Sequence, residues 1–392
     1  MSRGVLSAGS VTCRQLLPVG TPLGSVLITG GNEGVRNALL VQGCLQASAA
    51  GMSVVLLHEG SRALEQALQA ASAGLRRLDI INAAYPCYDP ICRLSNTQAA
   101  MLLMRAVPDA YGVGSQGFFY LQAMCHLLQA KGVVPHIRML ACAPFAAMQT
   151  VIAQAESRGR ITANEATAIS AQLAAGESAR SGLERFFTQL VLESDLFAHR
   201  QRLSQSVSIA ECAKAGSVLA IDIGSLAKGT QTSLIAAEIE SCIMSGTPIR
   251  VMIDGFSLQA ADRLQKLLKS ASSSLVWTIS TPDAAGMTGG KAEELSYLIM
   301  AAHKVVMFAH GLYTCEMLSQ DLGEYDHIDV TQSSGHNAGI GAFGFTLGSG
   351  RNTSTSLRRE RTVKPEEIAG LGDNGFILMD NQKGILYKGE LL

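Results

Sequence analysis

What this chain lacks narrows its reading first. Neither sign of charge dominates: 31 Lys and Arg stand against 32 Asp and Glu, a formal net charge of -1. No whole-protein field exists to hold a nucleic acid, so any DNA contact has to be local. The nine cysteines, at 13, 44, 87, 92, 125, 142, 212, 242 and 315, form no CxxC pair and lie scattered through apolar segments. That argues against a metal ribbon or a disulfide framework and reads as small buried hydrophobes in a reducing compartment. No run approaches the ~18 uncharged apolar residues that a spanning helix needs. The first residues, MSRGVLSAGSVTCRQLL, lack the continuous apolar core of a signal peptide. The expectation is a cytoplasmic protein with no membrane span of its own. HExxH spacing and a G-x-S-x-G elbow are also missing, and His126, His303, His310, His327 and His336 read as surface or satisfied core histidines.

What is present is apolar bulk. Of 392 residues, 47% are hydrophobic and 16% charged, enough for one large α/β core with a smaller inserted or appended unit. Short β-branched runs recur between longer helical patterns: Ser25–Thr29, Ser53–Leu57, Ser217–Asp222, Ile249–Asp254, Leu275–Ile279 and Lys304–Phe308. Near-continuous apolar strands alternating with helices indicate a parallel sheet covered on both faces, hence an α/β, doubly wound class. From about Pro135 to Ala215 the strand signals stop and Ala/Gln/Glu/Arg-rich text with helical spacing takes over. There Thr162 is placed to cap a helix starting at Ala163, with Glu165 completing the box. Six glycines between Gly335 and Gly350 predict a mobile loop or loose hairpin. Pro365 then opens a short helix, and Phe376–Met379 with Ile385–Tyr387 read as a terminal strand pair around Asn381–Gly384. There is no internal repeat.

The strand at Ser25–Thr29 runs into Gly30-Gly31-Asn32-Glu33-Gly34-Val35-Arg36-Asn37 and then an apolar helix. Strand, glycine loop and helix is the context in which backbone N–H groups cradle phosphates. In G-x-x-x-x-G-K-[ST] the Lys neutralises phosphate and the hydroxyl holds magnesium; here Val35, Arg36 and Asn37 stand at those places. Arg is larger than Lys and prefers bidentate partners. Val35 restores a β-carbon where backbone has to approach phosphate, and Glu33 opposes a polyanion. An ordinary strand-to-helix turn is the competing reading.

Further along, Asp79-Ile80-Ile81-Asn82 and Tyr88-Asp89-Pro90-Ile91-Cys92-Arg93 follow the second strand. Thr247–Asp254 continues into Gly255-Phe256, and Leu264–Leu268 reads as the next helix. Leu275–Ser280 precedes Thr281-Pro282-Asp283. After these come His303–Phe308, Thr314–Gly323, and Arg358–Ile368 with its Arg-x-x-x-x-x-Pro-x-Glu-Ile spacing. In this order the chain resembles the TraG/TraD-type coupling proteins of type IV secretion and conjugation, hexameric RecA-like ATPases related to the FtsK translocases. The resemblance implies a RecA-like doubly wound sheet over 1–135 and 216–392, interrupted by an all-α insertion at 136–215. It implies nucleotide contacts at Gly30, Gly31, Gly34, Arg36, Asn37 and Asp254, with Asp254 also the magnesium-associated carboxylate.

The departures share a kind. The catalytic acid after Asp254 is Gly255, the sensing Gln is Ser280, and the loop Lys is Arg36. Phosphoryl transfer rests on positioning and charge stabilisation, so these losses point to a pseudo-ATPase with no certain cofactor, ATP and magnesium remaining open. Asp254 and Asp222 have a plainer reading as turn or cap acceptors at strand ends. Arg351, Arg358 and Arg361 are candidates for DNA or inter-subunit contact, a solvated charged face being the alternative. The partners implied are secretion or conjugation components and a homo- or hetero-oligomeric ring, with membrane attachment through a partner. An active DNA translocase with an atypical phosphate loop, or a protein-binding module that keeps only the fold, are the competing functions.

Overall fold

A computed structural model describes residues 5–17, 24–224, 229–255, 262–269, 275–341 and 344–392; the side chains of 5, 8, 262 and 325–358 are outside that description. The strands are β1 (Val5–Val11), β2 (Val26–Thr29), β3 (Ser53–His58), β4 (Leu78–Ile81), β5 (Val218–Asp222), β6 (Ile249–Asp254), β7 (Leu275–Thr281), β8 (Lys304–Met307), β9 (Glu324–Gly341), β10 (Gly344–Arg361), β11 (Gly375–Asp380) and β12 (Ile385–Leu391).

Ten strands form one sheet in the order β1-β12-β11-β8-β2-β7-β6-β3-β5-β4. From β8 to β4 every pairing is parallel. The terminal pair predicted from sequence is there: β11 runs antiparallel to both β8 and β12. It carries the chain back to the far edge, where β12 meets β1 in parallel. The α/β class expected from the strand text holds. Val55, Leu57, Leu219, Ile221, Val251 and Ile253 enter the largest apolar cluster, while their neighbours Val54, Leu56, Val218, Ala220 and Met252 enter a second. Alternate residues of each strand thus meet helices on opposite faces, which is why the strands read as unbroken apolar runs.

Between β4 and β5 the chain is helical: Asn96–Ala106, Gly117–Ala130, Ile137–Ala141, Met148–Ser157, Ala163–Ala175, Arg180–Glu193 and Ile209–Ala215. Thr162 caps its helix as its sequence suggests. Its hydroxyl accepts from Glu165 N at 3.2 Å, and the Glu165 carboxylate accepts from Thr162 N at 2.7 Å. Helices begin at Asn96, ahead of residue 136, and share one apolar cluster with the later ones through Leu103, Tyr120, Leu121, Ile169 and Phe186.

Of the two readings of Gly335–Gly350, a mobile loop or a loose hairpin, the structure takes the hairpin. β9 and β10 pair antiparallel in unbroken register, from Glu324 opposite Arg361 to Gly341 opposite Gly344. Ladder hydrogen bonds use only main-chain groups, so glycine weakens such a ribbon without preventing it. Residues 342 and 343 lie outside the described residues.

Buried carboxyls tie the helices to the stretch after β4. Tyr88 donates its hydroxyl to Glu238 at 2.6 Å, and Ala210 N donates to the other Glu238 oxygen at 2.9 Å. Asp89 accepts from Ile91 N, Cys92 N and Ile137 N. Burial pushes Glu238 up to about 7 and Asp89 up to about 6, against the hydrogen bonds that favour their ionised forms. A carboxyl whose pKa is raised on folding contributes most stability below its unfolded value and loses it as the pH rises through the folded one. Folding stability therefore falls between about pH 4 and 7. Glu238→Gln mimics the protonated acid, so in denaturant titrations it is expected to match the parent near pH 4 and to exceed it by about 2–3 kcal/mol at pH 8.

Candidate functional site

Parallel pairing brings the carboxyl ends of the strands to one edge, the edge at which open α/β sheets present their sites. In register across that edge stand Asp222, His58, Asp254 and Ser280, at the ends of β5, β3, β6 and β7. β2 ends beside them at Thr29 and turns into the helix Glu33–Ala49.

That turn holds Gly30, Gly31 and Asn32 alone. Gly30 and Gly31 have φ of +79° and +71°, a conformation that favours glycine, and a β-carbon on Gly30 would lie 2.6 Å from both the Ala309 oxygen and His310 Nε2. Gly30 N donates to Thr281 O at 3.0 Å and Gly31 N to Ala309 O at 3.4 Å. Asn32 caps the helix by accepting from Val35 N at 2.9 Å. Gly34, Val35, Arg36 and Asn37 are consequently in the first turns of a helix that begins at Glu33. Arg36 is buried and folds back, with Nη1 donating to Gly31 O at 2.7 Å; its Nε and the Asn37 Oδ1 are buried without a hydrogen-bond partner.

Asp254 is 5% exposed and accepts from the Ser280 hydroxyl at 2.7 Å. Burial raises its pKa, opposed by that hydrogen bond and by the nearby charges of Arg36 and His58. The next residue, Gly255, sits at φ +87° with its N–H on Ser280 O. Asp222 is a turn acceptor, taking Gly60 N and Gly224 N on Oδ1. The structure thus gathers Gly30, Gly31, Gly34, Arg36, Asn37 and Asp254 at one end of the sheet. Arg351, Arg358 and Arg361 belong instead to β10, on the separate ribbon; Arg361 is half-buried, and the side chains of Arg351 and Arg358 lie outside the described residues.

His310, read from sequence as a surface or satisfied core histidine, lies against the glycine turn. Its Nε2 is 2.9 Å from Thr29 Oγ1, burial lowers its pKa, and with Phe308 it fills the space over the glycine turn. The available signal was position, just past the end of β8 and hence at the same edge. Beside the turn opens a cleft of about 660 Å³, lined by Gly31, Asn32, Asp283, His310, Tyr313 and Thr314 among others.

The turn as arranged does not fit a magnesium-bound triphosphate. The N–H groups of Gly30, Gly31 and Val35 are already spent on protein acceptors, Arg36 points its fork at its own loop, and no hydroxyl stands at position 37.

No protein-family model and no curated protein sequence matches the chain. Solved structures do. The architecture is that of the RecA-like α/β proteins, a mostly parallel sheet with helical segments. The likeness is to the bacterial conjugative coupling protein TrwB. The unbound form of TrwB lacking 70 N-terminal residues aligns with TM-score 0.59 and 17% identity over 100% of this chain and 90% of that one. TrwB with ADP and Mg2+ gives 0.53 and 18% over 100% and 90%, and TrwB with a non-hydrolysable ATP analogue 0.53 and 15% over 100% and 93%. At this identity the likeness establishes a coupling-protein-like fold. Among the described residues, no helix is long and apolar enough to cross a membrane.

Gly30→Ala is expected to lower unfolding free energy by at least about 2 kcal/mol, since the new methyl meets the Ala309 backbone and the His310 ring at a strained φ. Gly34→Ala, whose added β-carbon would approach nothing closer than Asn32 Oδ1 at 3.4 Å, is expected to be neutral or stabilising in the same denaturation series.

Proposed function

We propose that this chain is a coupling-protein-like subunit of a type IV secretion or conjugation apparatus, with a docking or regulatory role and no nucleotide hydrolysis of its own. The observation that carries this reading is the closed glycine turn, with Arg36 folded onto the Gly31 carbonyl. A phosphate loop works by presenting free N–H groups and a mobile cation to the ligand. Here the N–H groups of Gly30, Gly31 and Val35 and the Arg36 guanidinium are engaged internally.

The row beyond the turn supports the same reading. Phosphoryl transfer needs a group that positions the attacking water and a metal site that neutralises developing charge. Asp254 is held by Ser280, and at Gly255 the backbone conformation itself disfavours a side chain, so restoring an acid there would be strained. Such a subunit would act within a ring alongside partner subunits that carry the full catalytic set, in the cytoplasm and attached to the membrane through them. The helices of 136–215 would form the all-α unit of this assembly, set into a discontinuous RecA-like domain of 1–135 and 216–392. Any DNA contact would be local and electrostatic, with Arg351, Arg358 and Arg361 on the β9–β10 ribbon as candidates.

The test is titration of the purified protein with fluorescent ATP and ADP in magnesium, beside a phosphate-release assay and the Arg36→Ala variant. No phosphate release above the buffer rate is expected. Magnesium-dependent turnover that disappears in Arg36→Ala would overturn the reading and identify an atypical motor.

A further inference from the structure

One donor atom from each of His58, Glu65 and Asp222 lies within 4.8 Å of the other two. Three different elements supply them. His58 ends β3, Asp222 ends β5 directly opposite it, and Glu65 stands in the helix Arg62–Ala70. Gly60, at φ +64°, makes the sharp turn between β3 and that helix, and Ser61 caps the helix by accepting from Leu64 N. The turn is tied to β5 through Gly60 N, which donates to Asp222 Oδ1 at 2.8 Å.

The state of His58 sets this cluster apart from an ordinary group of acids. Its side chain is completely buried, yet neither ring nitrogen has a hydrogen-bond partner. Buried imidazoles left wholly unsatisfied are rare in native proteins. His58 Nε2 is 3.6 Å from Glu65 Oε1, too long for a hydrogen bond and close to the separation of two ligands sharing one metal ion. The carboxylates, by contrast, are held in place. Both Glu65 oxygens accept from Asn82 Nδ2, at 3.0 and 3.1 Å, and Asp222 Oδ1 accepts from Gly60 N and Gly224 N. Outer hydrogen bonds that fix ligating carboxylates are a regular feature of metal sites.

We propose that His58, Glu65 and Asp222 form a binding site for a divalent first-row transition cation, of the Zn2+ or Mn2+ type. An imidazole nitrogen with two carboxylates selects such ions over Mg2+ and Ca2+, which prefer oxygen alone. Two carboxylates balance the charge of the cation. Three protein ligands leave a coordination position open at the carboxyl edge of the sheet. The ion would bridge the ends of β3 and β5, one strand away from Asp254, and is distinct from the magnesium position that a phosphate loop would use.

The experiment uses the full chain, stripped with EDTA and titrated calorimetrically with Mn2+ and Zn2+. Co2+ serves as a spectroscopic probe whose visible band reports nitrogen and oxygen ligation. Glu65→Gln, Asp222→Asn and His58→Gln are compared, each checked by circular dichroism; should His58→Gln fail to fold, the two carboxamide variants carry the test. One equivalent is expected, with affinity at least about tenfold weaker in each folded variant. The melting temperature should rise on adding metal in the parent and not in the variants. Absence of binding at millimolar metal overturns the proposal, as does affinity unchanged in Glu65→Gln and Asp222→Asn. Loss of binding in Asp254→Asn with retention in Glu65→Gln would move the site to Asp254 and overturn it equally.

Discussion

The parallel pairing of β6 between β3 and β7 is the constraint on which the rest of the molecule hangs. With helices against both faces, side chains along the body of these strands have to be apolar or fully bonded. Arg250 shows the rule under strain: it lies wholly buried in β6 and is accommodated by hydrogen bonds to Thr278 on β7 and Gln46 on a covering helix. Burial lowers its pKa to about 10, which leaves it charged at neutral pH. Polar residues that are to meet a ligand have one place left, the carboxyl edge. Asp222, His58, Asp254 and Ser280 line up there because the register places them side by side.

At that edge the molecule spends its polar groups inward. Arg36 serves a carbonyl of its own turn, the Gly30 and Gly31 N–H groups serve the Thr281 and Ala309 carbonyls, and Asp254 accepts from Ser280. Beside Arg36 Nε and Asn37 Oδ1, which are buried without a partner, His58 is buried with both of its ring nitrogens unmatched, one strand from Asp254.

The sequence by itself determined the strand positions, because burial on both faces leaves a compositional trace, and it determined the helix starts where a capping pair such as Thr162 and Glu165 is local. It also located Gly30, Gly31 and Asp254 at strand ends, since a strand end is readable from the run that precedes it. Only the tertiary structure decided which strand ends are neighbours, because β3 lies between β5 and β6 across more than a hundred residues of intervening helix, and no local pattern encodes that order. Tertiary structure likewise decided between loop and hairpin for Gly335–Gly350, that His310 covers the glycine turn, and that His58, Glu65 and Asp222 converge. Those outcomes depend on main-chain pairing and on contacts distant in sequence, for which residue type alone carries no signal.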